Sequence, residues 1–220
     1  KAQELALECE QAALDSSPKV INSEGANVGS YESQSYYANS HGFLGSTKST
    51  GHSISCTAIA EENGSMEMDY DYTSERHPED LMNHIIIGKN AASKASANLG
   101  SKKIKTQEAK ILYSPRVAKS IISHFMNAIS GGSLYRKSSF LLDCMDKKVC
   151  SEIMTIKEEP HLKRGSASTY FDEEGVETKP RLIVDQGKLL GYLLSSYSAR
   201  RLGMETTGNA GGHHNLLVQP

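Results

Sequence analysis

The spacing of apolar residues at the start of the chain predicts an amphipathic helix that ends near Asp15. From Val20 to Tyr72 the period changes to two, which indicates strands with one buried face. Between two of these runs, Asn63-Gly64 supplies the positive φ angles of a tight hairpin, so we predict an antiparallel sheet. The apolar positions are Leu5, Ala6, Cys9, Ala12 and Ala13 in the helix, Ile54, Cys56 and Ala58 before the turn, and Met66, Met68, Tyr70 and Tyr72 after it.

A second helix and a connector follow the predicted sheet. Pro78 suits the first position of a helix, where its missing N–H costs nothing, and Gly100 suits the position after the helix end. The short basic stretch Ser101–Lys105 then marks a boundary. We predict an N-terminal part, residues 1–100, with a helix, an antiparallel sheet and a helix, and a C-terminal part, residues 101–220.

The C-terminal part opens with a predicted strand at Glu108–Tyr113. Ser114 and Pro115 then supply an N-cap and a proline at the first helical position of the next helix. We expect Gly131-Gly132 to end this helix. One of its faces is apolar: Val117, Ile121, Ile122, Phe125 and Ile129.

Two further strand-like runs cover Val149–Ile156 and Leu182–Leu194, the second broken by a turn at Asp185-Gln186-Gly187. The order helix, sheet, helix, strand, helix, sheet predicts an α+β fold of antiparallel β-rich units with packed helices. The same order suggests duplication into two related halves, although no sequence repeat is evident.

The charge balance argues against a nucleic-acid partner. The chain has 24 basic and 26 acidic residues and a formal net charge of -2, without the basic excess that phosphate binding requires. Its longest apolar runs, such as Ile85–Ile87 and Leu189–Leu194, are too short to span a bilayer, so we expect no membrane partner.

Cysteine usage and the chain start indicate a cytoplasmic location. None of the four cysteines forms a Cys-x-x-Cys pair, which favours reduced thiols over a metal or disulfide framework. No apolar leader opens the chain. The start at Lys1 and the stop just after Leu216–Val218 are interpreted as cuts through a longer protein.

His124 lies in the middle of the helix that follows Ser114. Zinc peptidases place paired histidines on a helix, with a glutamate next to the first as general base. Phe125 follows His124 here, and Asn127, Ala128 and Ile129 occupy the positions where a second ligand would project. A packed or surface histidine is therefore favoured over a zinc ligand.

The polar stretch SGGSLYRKSSF, from Ser130 to Phe140, allows a serine nucleophile or a phosphate-binding turn. The sequence supplies no base partner for its serines, and its glycines follow a helix rather than a strand. We favour a helix stop with a polar connection. The acidic runs Glu158-Glu159 and Asp172–Glu174 are expected to be solvated turns rather than paired catalytic acids.

Gly208–His214 contains adjacent histidines, whose side chains diverge in both helices and strands. We favour a flexible loop, with peptide or partner contact as the alternative, because loops often carry function. The candidate peptide- or partner-contacting residues of the two polar segments are Ser133, Tyr135, Arg136, Lys137, Asn209 and His213.

Several segments together resemble the TldD/PmbA family, also known as modulators of DNA gyrase. Within that family, the TldD branch carries His-Glu-x-x-x-His on a helix and completes its metal site with a cysteine further along. The PmbA or TldE branch lacks this motif and pairs with TldD in a cytosolic metallopeptidase that digests unfolded peptides. The matching segments run in family order: Asn39–Gly45 (NSHGFLG), Ile129–Leu141 (ISGGSLYRKSSFL), Pro160–Leu162 (PHL), Phe171–Val176 (FDEEGV) and Gly191–Gly212 (GYLLSSYSARRLGMETTGNAGG).

In this resemblance the first His of the motif falls on His124, its Glu on Phe125 and its second His on Ile129, so one of three positions survives. The resemblance implies an α+β fold with duplicated β-rich units and a non-catalytic, TldE-like subunit without metal ligands of its own. It also implies a TldD-type partner that holds a divalent metal, namely zinc, and unfolded peptides as substrate.

Two other functions remain open. One is an autonomous metallopeptidase with an unusual site built from His124, His213 and His214. The other is an interaction module that acts on gyrase or another protein and has no part in proteolysis.

Overall fold

A computed structural model of the chain describes residues 1–219. In this range helices and strands are mixed, and the strands form two antiparallel sheets, which confirms the predicted α+β class. Two compact units can be separated: one contains residues 1–34 and 48–108, the other residues 35–47 and 109–220. The predicted boundary lies between residues 100 and 101, and the prediction assigns residues 35–47 to the N-terminal part. The duplication of the two halves stays a prediction.

The first unit contains two helices and most of a three-stranded sheet. The predicted opening helix and the hairpin at Asn63-Gly64 are both confirmed, since the strands on either side of this turn pair from Glu62 and Ser65 outward. The strand order is that of the chain. The elements are α1 (Ala2–Leu14), β1 (Val20–Ala38), β2 (Leu44–Glu62), β3 (Ser65–Glu75) and α2 (His84–Asn98).

Small side chains let α1 and α2 approach closely. At Gly88 a Cβ atom would collide with the backbone oxygen of Cys9, so the contact between the helices needs glycine there. The core under these helices is built mainly from alanine and β-branched residues: Cys9, Ala13, Val20, Ile54, Cys56, Ala58, Ala60, Ile87, Ala91, Ala92 and Ala95.

The prediction that Pro78 opens the long helix was wrong. Pro78–Asp80 forms only a short 3-10 turn, because the backbone of Leu81 is extended (φ -65°, ψ 139°). The α-helix begins at His84, and the Asn83 side chain caps it by accepting a hydrogen bond from the N–H of Ile85.

The buried face of β3 is also the opposite of the one predicted. Met66, Met68, Tyr70 and Tyr72 are exposed, while the intervening Asp69 and Asp71 face α2 and accept hydrogen bonds from it. Asp71 is 8% exposed and accepts hydrogen bonds from Lys94 and Asn90. Burial raises the pKa of the Asp71 carboxyl, but these two bonds outweigh burial and hold the pKa below its ordinary value. The helix therefore supplies partners that make burial of the acid tolerable.

The second unit contains a four-stranded sheet and three helices. Its strand order is β6-β5-β4-β7, with β7 at one edge. Ser114 and Pro115 begin the first of these helices, as predicted. The elements are α3 (Pro115–Ala128), α4 (Gly131–Tyr135), β4 (Thr155–Glu158), β5 (Arg181–Asp185), β6 (Lys188–Leu189), α5 (Ser196–Leu202) and β7 (Leu216–Gln219).

Three boundary predictions in this unit were wrong. Glu108–Tyr113 is not a strand: it pairs with no strand within residues 1–219, and Leu112 is 97% exposed. Gly131 opens α4 rather than ending α3, because Ser130 caps the new helix through the N–H of Ser133. Only the last two residues of Val149–Ile156 belong to a strand.

The turn inside Leu182–Leu194 was predicted correctly. Gln186 and Gly187 both have positive φ angles, 46° and 80°, which is the geometry of a tight turn between β5 and β6. After Leu189 the chain leaves the sheet. The α5 helix that follows was not predicted; Ser195 and Ser198 form a capping box at its start.

The core of the second unit is formed by residues of α3, α4, α5 and the four-stranded sheet. Its fully buried side chains include Ile129, Leu134, Ile156, Ile183, Val184, Leu189 and Leu194. Within residues 1–219 no helix combines the length and the apolar character needed to cross a membrane.

The assignment of the faces of the first sheet can be tested by two substitutions. Ile54→Ala should lower the free energy of unfolding by about 2–5 kcal/mol, because it leaves a cavity in the core. Met68→Ala should change it by less than about 0.5 kcal/mol, since this side chain is already 53% exposed. Urea unfolding followed by circular dichroism measures both, and equal losses would contradict the assignment.

Candidate functional site

The three positions that the family resemblance assigns to a metal motif lie in the last turn of α3 and at the residue that follows it. His124 is exposed, Phe125 packs against the core, and Ile129 is 0% exposed at the end of the helix. The N–H of Ile129 donates to the carbonyl of Phe125, so both residues belong to the same closing turn. Neither apolar side chain can ligate a metal or polarise water, and the residues present do not fit the metal that the motif would hold.

The two adjacent histidines of the glycine-rich loop, His213 and His214, have hydrogen-bond partners outside α3. His214 is 7% exposed, and its Nδ1 lies 3.0 Å from an oxygen of Glu158. The Nδ1 of His213 lies 2.9 Å from the carbonyl oxygen of His214. Within residues 1–219 there is no group of three or more His, Cys, Asp or Glu side chains arranged to hold a metal ion.

The two polar segments singled out in the sequence meet at one cleft. Its volume is about 230 Å³, and residues from both segments line it. Ser130, Gly131 and Gly132 come from the start of α4, and residues 209–213 come from the glycine-rich loop. No local pattern in the sequence indicates that these segments lie together, or that Ser195 and Ser198 of α5 also line the cleft.

Backbone hydrogen bonds fix the α4 side of the cleft. The N–H of Gly131 donates to the carbonyl of Leu193 (2.8 Å), and the N–H of Leu193 donates to that of Ile129 (3.0 Å). A Cβ atom at Gly131 would collide with the side chain of Ser198, so glycine allows α4 to lie directly on α5.

The loop side of the cleft is anchored on the buried carboxylate of Glu158, which ends β4 and is 1% exposed. The Nε of Arg181 lies 2.8 Å from one carboxylate oxygen. The other oxygen accepts from the side chain of Asn209 and from the backbone N–H of His214, both at 2.8 Å. Strand β5 and the glycine-rich loop are therefore joined through one charged group.

Asn209 is the hub of the loop. Its side-chain oxygen accepts from Arg181 (2.8 Å) and Thr207 (2.7 Å), and its side-chain amide donates to the carbonyl of Gly212 (3.0 Å) as well as to Glu158. Only 5% of this residue is exposed. Asn209 was predicted as a contact residue, and the structure gives it the role of holding the loop.

The prediction that both acidic runs are solvated turns was wrong for Glu158 and Asp172. Asp172 is 4% exposed and accepts hydrogen bonds from the N–H groups of Glu174, Val176 and Ala210. Glu158 lies two residues after the buried Ile156, on the same face of a strand. If the strand predicted at Val149–Ile156 were extended by two residues, its alternation would place Glu158 on the buried face.

The arginine and histidine partners control the ionisation of Glu158. Burial raises the pKa of its carboxyl, but the hydrogen bonds from His214 and the charge of Arg181 outweigh burial and lower the pKa from 4.5 to about 2. The carboxylate is therefore charged at neutral pH inside the unit.

The remaining predicted contact residues lie on α4 and just after it. Ser133 bonds to the capping residue Ser130, and the ring of Tyr135 meets that of Tyr197 edge to face at 5.6 Å. Arg136 and Lys137 are exposed. His213, the sixth predicted residue, is exposed and lines the cleft. Whether these side chains contact a peptide or a partner stays a prediction.

Comparison with known proteins places both halves of the chain in one family. Residues 1–99 match the PmbA/TldA metallopeptidase central domain, and residues 106–220 match the PmbA/TldA metallopeptidase C-terminal domain. The chain belongs to the PmbA/TldD metallopeptidase family.

Two relatives show how far the likeness extends within the PmbA/TldD family. The chain is 49% identical over 220 residues to the metalloprotease PmbA homolog of Haemophilus influenzae, covering 100% of this chain and 49% of that protein. It is 45% identical over 218 residues to the metalloprotease PmbA of Escherichia coli O157:H7, covering 99% of this chain and 48% of that protein. The chain thus spans about half the length of the curated relatives it matches.

Solved PmbA/TldD structures share the fold. A candidate modulator of DNA gyrase from Bacteroides thetaiotaomicron superposes with a TM-score of 0.92 and 31% identity, over 99% of this chain and 49% of that one. TldE from Thermococcus kodakarensis gives a TM-score of 0.77 at 18% identity, over 100% of this chain and 52% of that one, and so supports the fold alone.

A second and larger cavity of this PmbA/TldD chain runs along α3. It has a volume of about 760 Å³, and its mainly apolar lining includes Ile121 and Ile122 of α3, Met154, and Leu216 and Val218 of β7. His213 lines both this groove and the smaller cleft. The groove therefore follows the outer edge of the four-stranded sheet.

Glu158→Gln tests the charged anchor of the PmbA/TldD loop. The substitution should lower the free energy of unfolding at pH 7 by about 3 kcal/mol, because it leaves Arg181 without its buried counter-charge. Since the pKa of Glu158 lies near 2 in the folded chain, its contribution is complete above about pH 4.5 and is lost as the pH falls toward 2. Urea unfolding between pH 2 and 7 measures both effects, and the variant should show the weaker pH dependence in this range.

Glu159→Gln is the matched control. Glu159 pairs with Lys157, whose side chain is 44% exposed, so the loss should stay below about 1 kcal/mol. Equal losses for the two variants would show that the buried carboxylate does not anchor the loop.

Proposed function

We propose that this chain is part of a TldE-like subunit that holds unfolded peptides for a TldD-type metallopeptidase and carries no catalytic metal itself. One observation carries the proposal: the positions of the motif glutamate and second histidine are Phe125 and Ile129, and both pack in the core. Restoring ligands at these positions would disrupt that packing, so the helix serves as structure here.

The open edge of the second sheet supports peptide binding. Among the described residues, β7 pairs with β4 on one side only, and Leu217 and Val218 are 36% and 45% exposed. An extended peptide can add to such an edge through backbone hydrogen bonds, which tolerates many sequences but requires an unfolded substrate. The apolar groove beside β7 then offers space for its side chains.

The partner supplies the chemistry in this proposal. A TldD-type subunit in the cytoplasm would hold the divalent metal, which we expect to be zinc, and that metal would supply an activated water for hydrolysis of the peptide. Ser133, Tyr135, Arg136, Lys137 and His213 are our candidates for contact with the peptide or the partner.

A mixing experiment tests the proposal with full-length subunits. Hydrolysis of an unfolded peptide is measured for this subunit alone, for a TldD-type partner alone and for the mixture, together with the metal content of each. We expect activity only in the mixture, with the metal in the partner. Robust hydrolysis and stoichiometric metal in the lone subunit would instead support an autonomous peptidase.

His124→Ala separates the two peptidase functions. His124 is exposed and makes no ligand group with other side chains in residues 1–219, so the mixture should keep its activity within about twofold. Loss of activity and of metal from this variant would favour an autonomous site that includes His124. Full activity of the partner without this subunit would favour an interaction module with no part in proteolysis.

A further inference from the structure

A basic and aromatic surface lies on α4 and α5, next to the small cleft. We call it the basic patch; it consists of Tyr135, Arg136, Lys137, Tyr197, Arg200 and Arg201. Neither Tyr197 nor the two arginines of α5 were singled out in the sequence.

One ring contact between α4 and α5 brings the two halves of the basic patch together. The rings of Tyr135 and Tyr197 meet edge to face, with centroids 5.6 Å apart. Arg200 and Arg201 follow Tyr197 by three and four residues, so all three lie on the same side of α5. The guanidinium of Arg136 lies 5.4 Å from the ring centroid of Tyr135 and donates to its hydroxyl at 3.4 Å.

The four cations of the patch have no acidic partner. None of the ion pairs formed among residues 1–219 includes Arg136, Lys137, Arg200 or Arg201, and all four side chains are exposed. The carboxylate of Glu174 lies at the start of α5, where it accepts from the N–H of Ser196 at 2.7 Å. The patch therefore presents uncompensated positive charge.

Lys137 provides an independent observation. It has a φ of 56°, because its N–H donates to the carbonyl of Leu134 and the N–H of Ser138 donates to that of Ser133. These two bonds form the helix stop in which glycine is the favoured residue, and a lysine there carries a conformational cost. Stability alone would favour glycine at this position, so the presence of lysine indicates that its side chain has a role outside folding.

We infer that the basic patch binds acidic segments of unfolded peptides and guides them into the adjoining cleft. The inference rests on the proposed peptide-holding function and names the class of peptide. The patch borders the cleft. Gly132 lines the cleft, and a Cβ atom built on Gly132 would lie 3.4 Å from the guanidinium of Arg136. Arginine pairs bidentately with carboxylates, and the tyrosines add apolar contact without adding charge.

Polypeptide is favoured over nucleic acid by the charge of the whole chain. Binding to a polyphosphate requires neutralisation of many phosphates, whereas this chain has a formal net charge of -2 and four cations in the patch. An acidic peptide of a few residues matches four cations.

Fluorescence anisotropy with the full-length subunit, in the absence of its partner, tests the inference. The probes are three labelled, unstructured peptides of equal length that are rich in Asp and Glu, in Ser and Gly, or in Lys. We expect the acidic peptide to bind at least about tenfold more tightly than the other two at low salt, and to lose this advantage at high salt. Equal affinity for the three peptides would overturn the inference.

Two variants locate the binding. Arg200→Gln combined with Arg201→Gln should weaken acidic-peptide binding by about tenfold, since two charged contacts are lost. The matched control, Lys147→Gln combined with Lys188→Gln, removes two exposed charges outside the patch and should bind as the unmodified subunit does. An equal loss in the control, or no loss in the arginine variant, would contradict the location.

Lys137→Gly separates binding from folding. It should weaken acidic-peptide binding two- to threefold, while the thermal midpoint stays the same or rises because glycine is favoured at this backbone angle. A lower midpoint together with unchanged binding would contradict the role given to this lysine.

Two further results separate the inference from the proposed function and from nucleic-acid binding. Failure to stimulate a TldD-type partner, with the acidic preference intact, would remove the proposed function and leave the patch assigned. Stimulation of the partner without an acidic preference would support the proposed function and overturn the role given to the patch. A single-stranded RNA oligonucleotide that binds more tightly than the acidic peptide would overturn the inference.

Discussion

The ionised carboxylate of Glu158 is the constraint on which the polar part of the second unit depends. A carboxylate removed from water is tolerated only when charge and hydrogen bonds replace its hydration. Arg181 on the neighbouring strand supplies the charge, and Asn209 and His214 supply the bonds. The sheet and the glycine-rich loop therefore form one arrangement, and the position of one wall of the cleft follows from it.

The sequence predicted correctly those turns and helix starts that depend only on neighbouring residues. Asn63-Gly64 specified a hairpin, and Ser114 with Pro115 specified the start of α3. Pro78 misled because a proline suits any helical first turn, and the turn it opens ends at Asp80. The start of α2 depends instead on Asn83, which supplies a side-chain cap.

The alternation of apolar and acidic residues in β3 predicted a strand correctly but did not predict which face is buried. Apolar side chains usually mark the inside, yet Asp71 takes that side because Lys94 and Asn90 of α2 lie opposite it. A single strand carries no information about the helix that covers it. For the same reason the meeting of Ser130 with the loop at Asn209 could not be predicted, because it depends on how α4, α5 and the sheet pack.

The degenerate motif was identified through the family resemblance, and the structure adds what replaced its chemistry. Phe125 and Ile129 now fill space between α3 and the core. Because these two positions hold apolar side chains, α3 packs them against the core, and other residues of the helix line the apolar groove.

The glycine-rich loop has a consequence for the entropy of binding. Glycines at 208, 211 and 212 supply positive φ angles, and the loop is then tied by Asn209 to Gly212 and by Ala210 to Asp172. Its glycines serve backbone geometry rather than mobility. A ligand that enters the cleft therefore meets a wall that hydrogen bonds already hold in place, so ordering of the loop adds little to the entropic cost of binding.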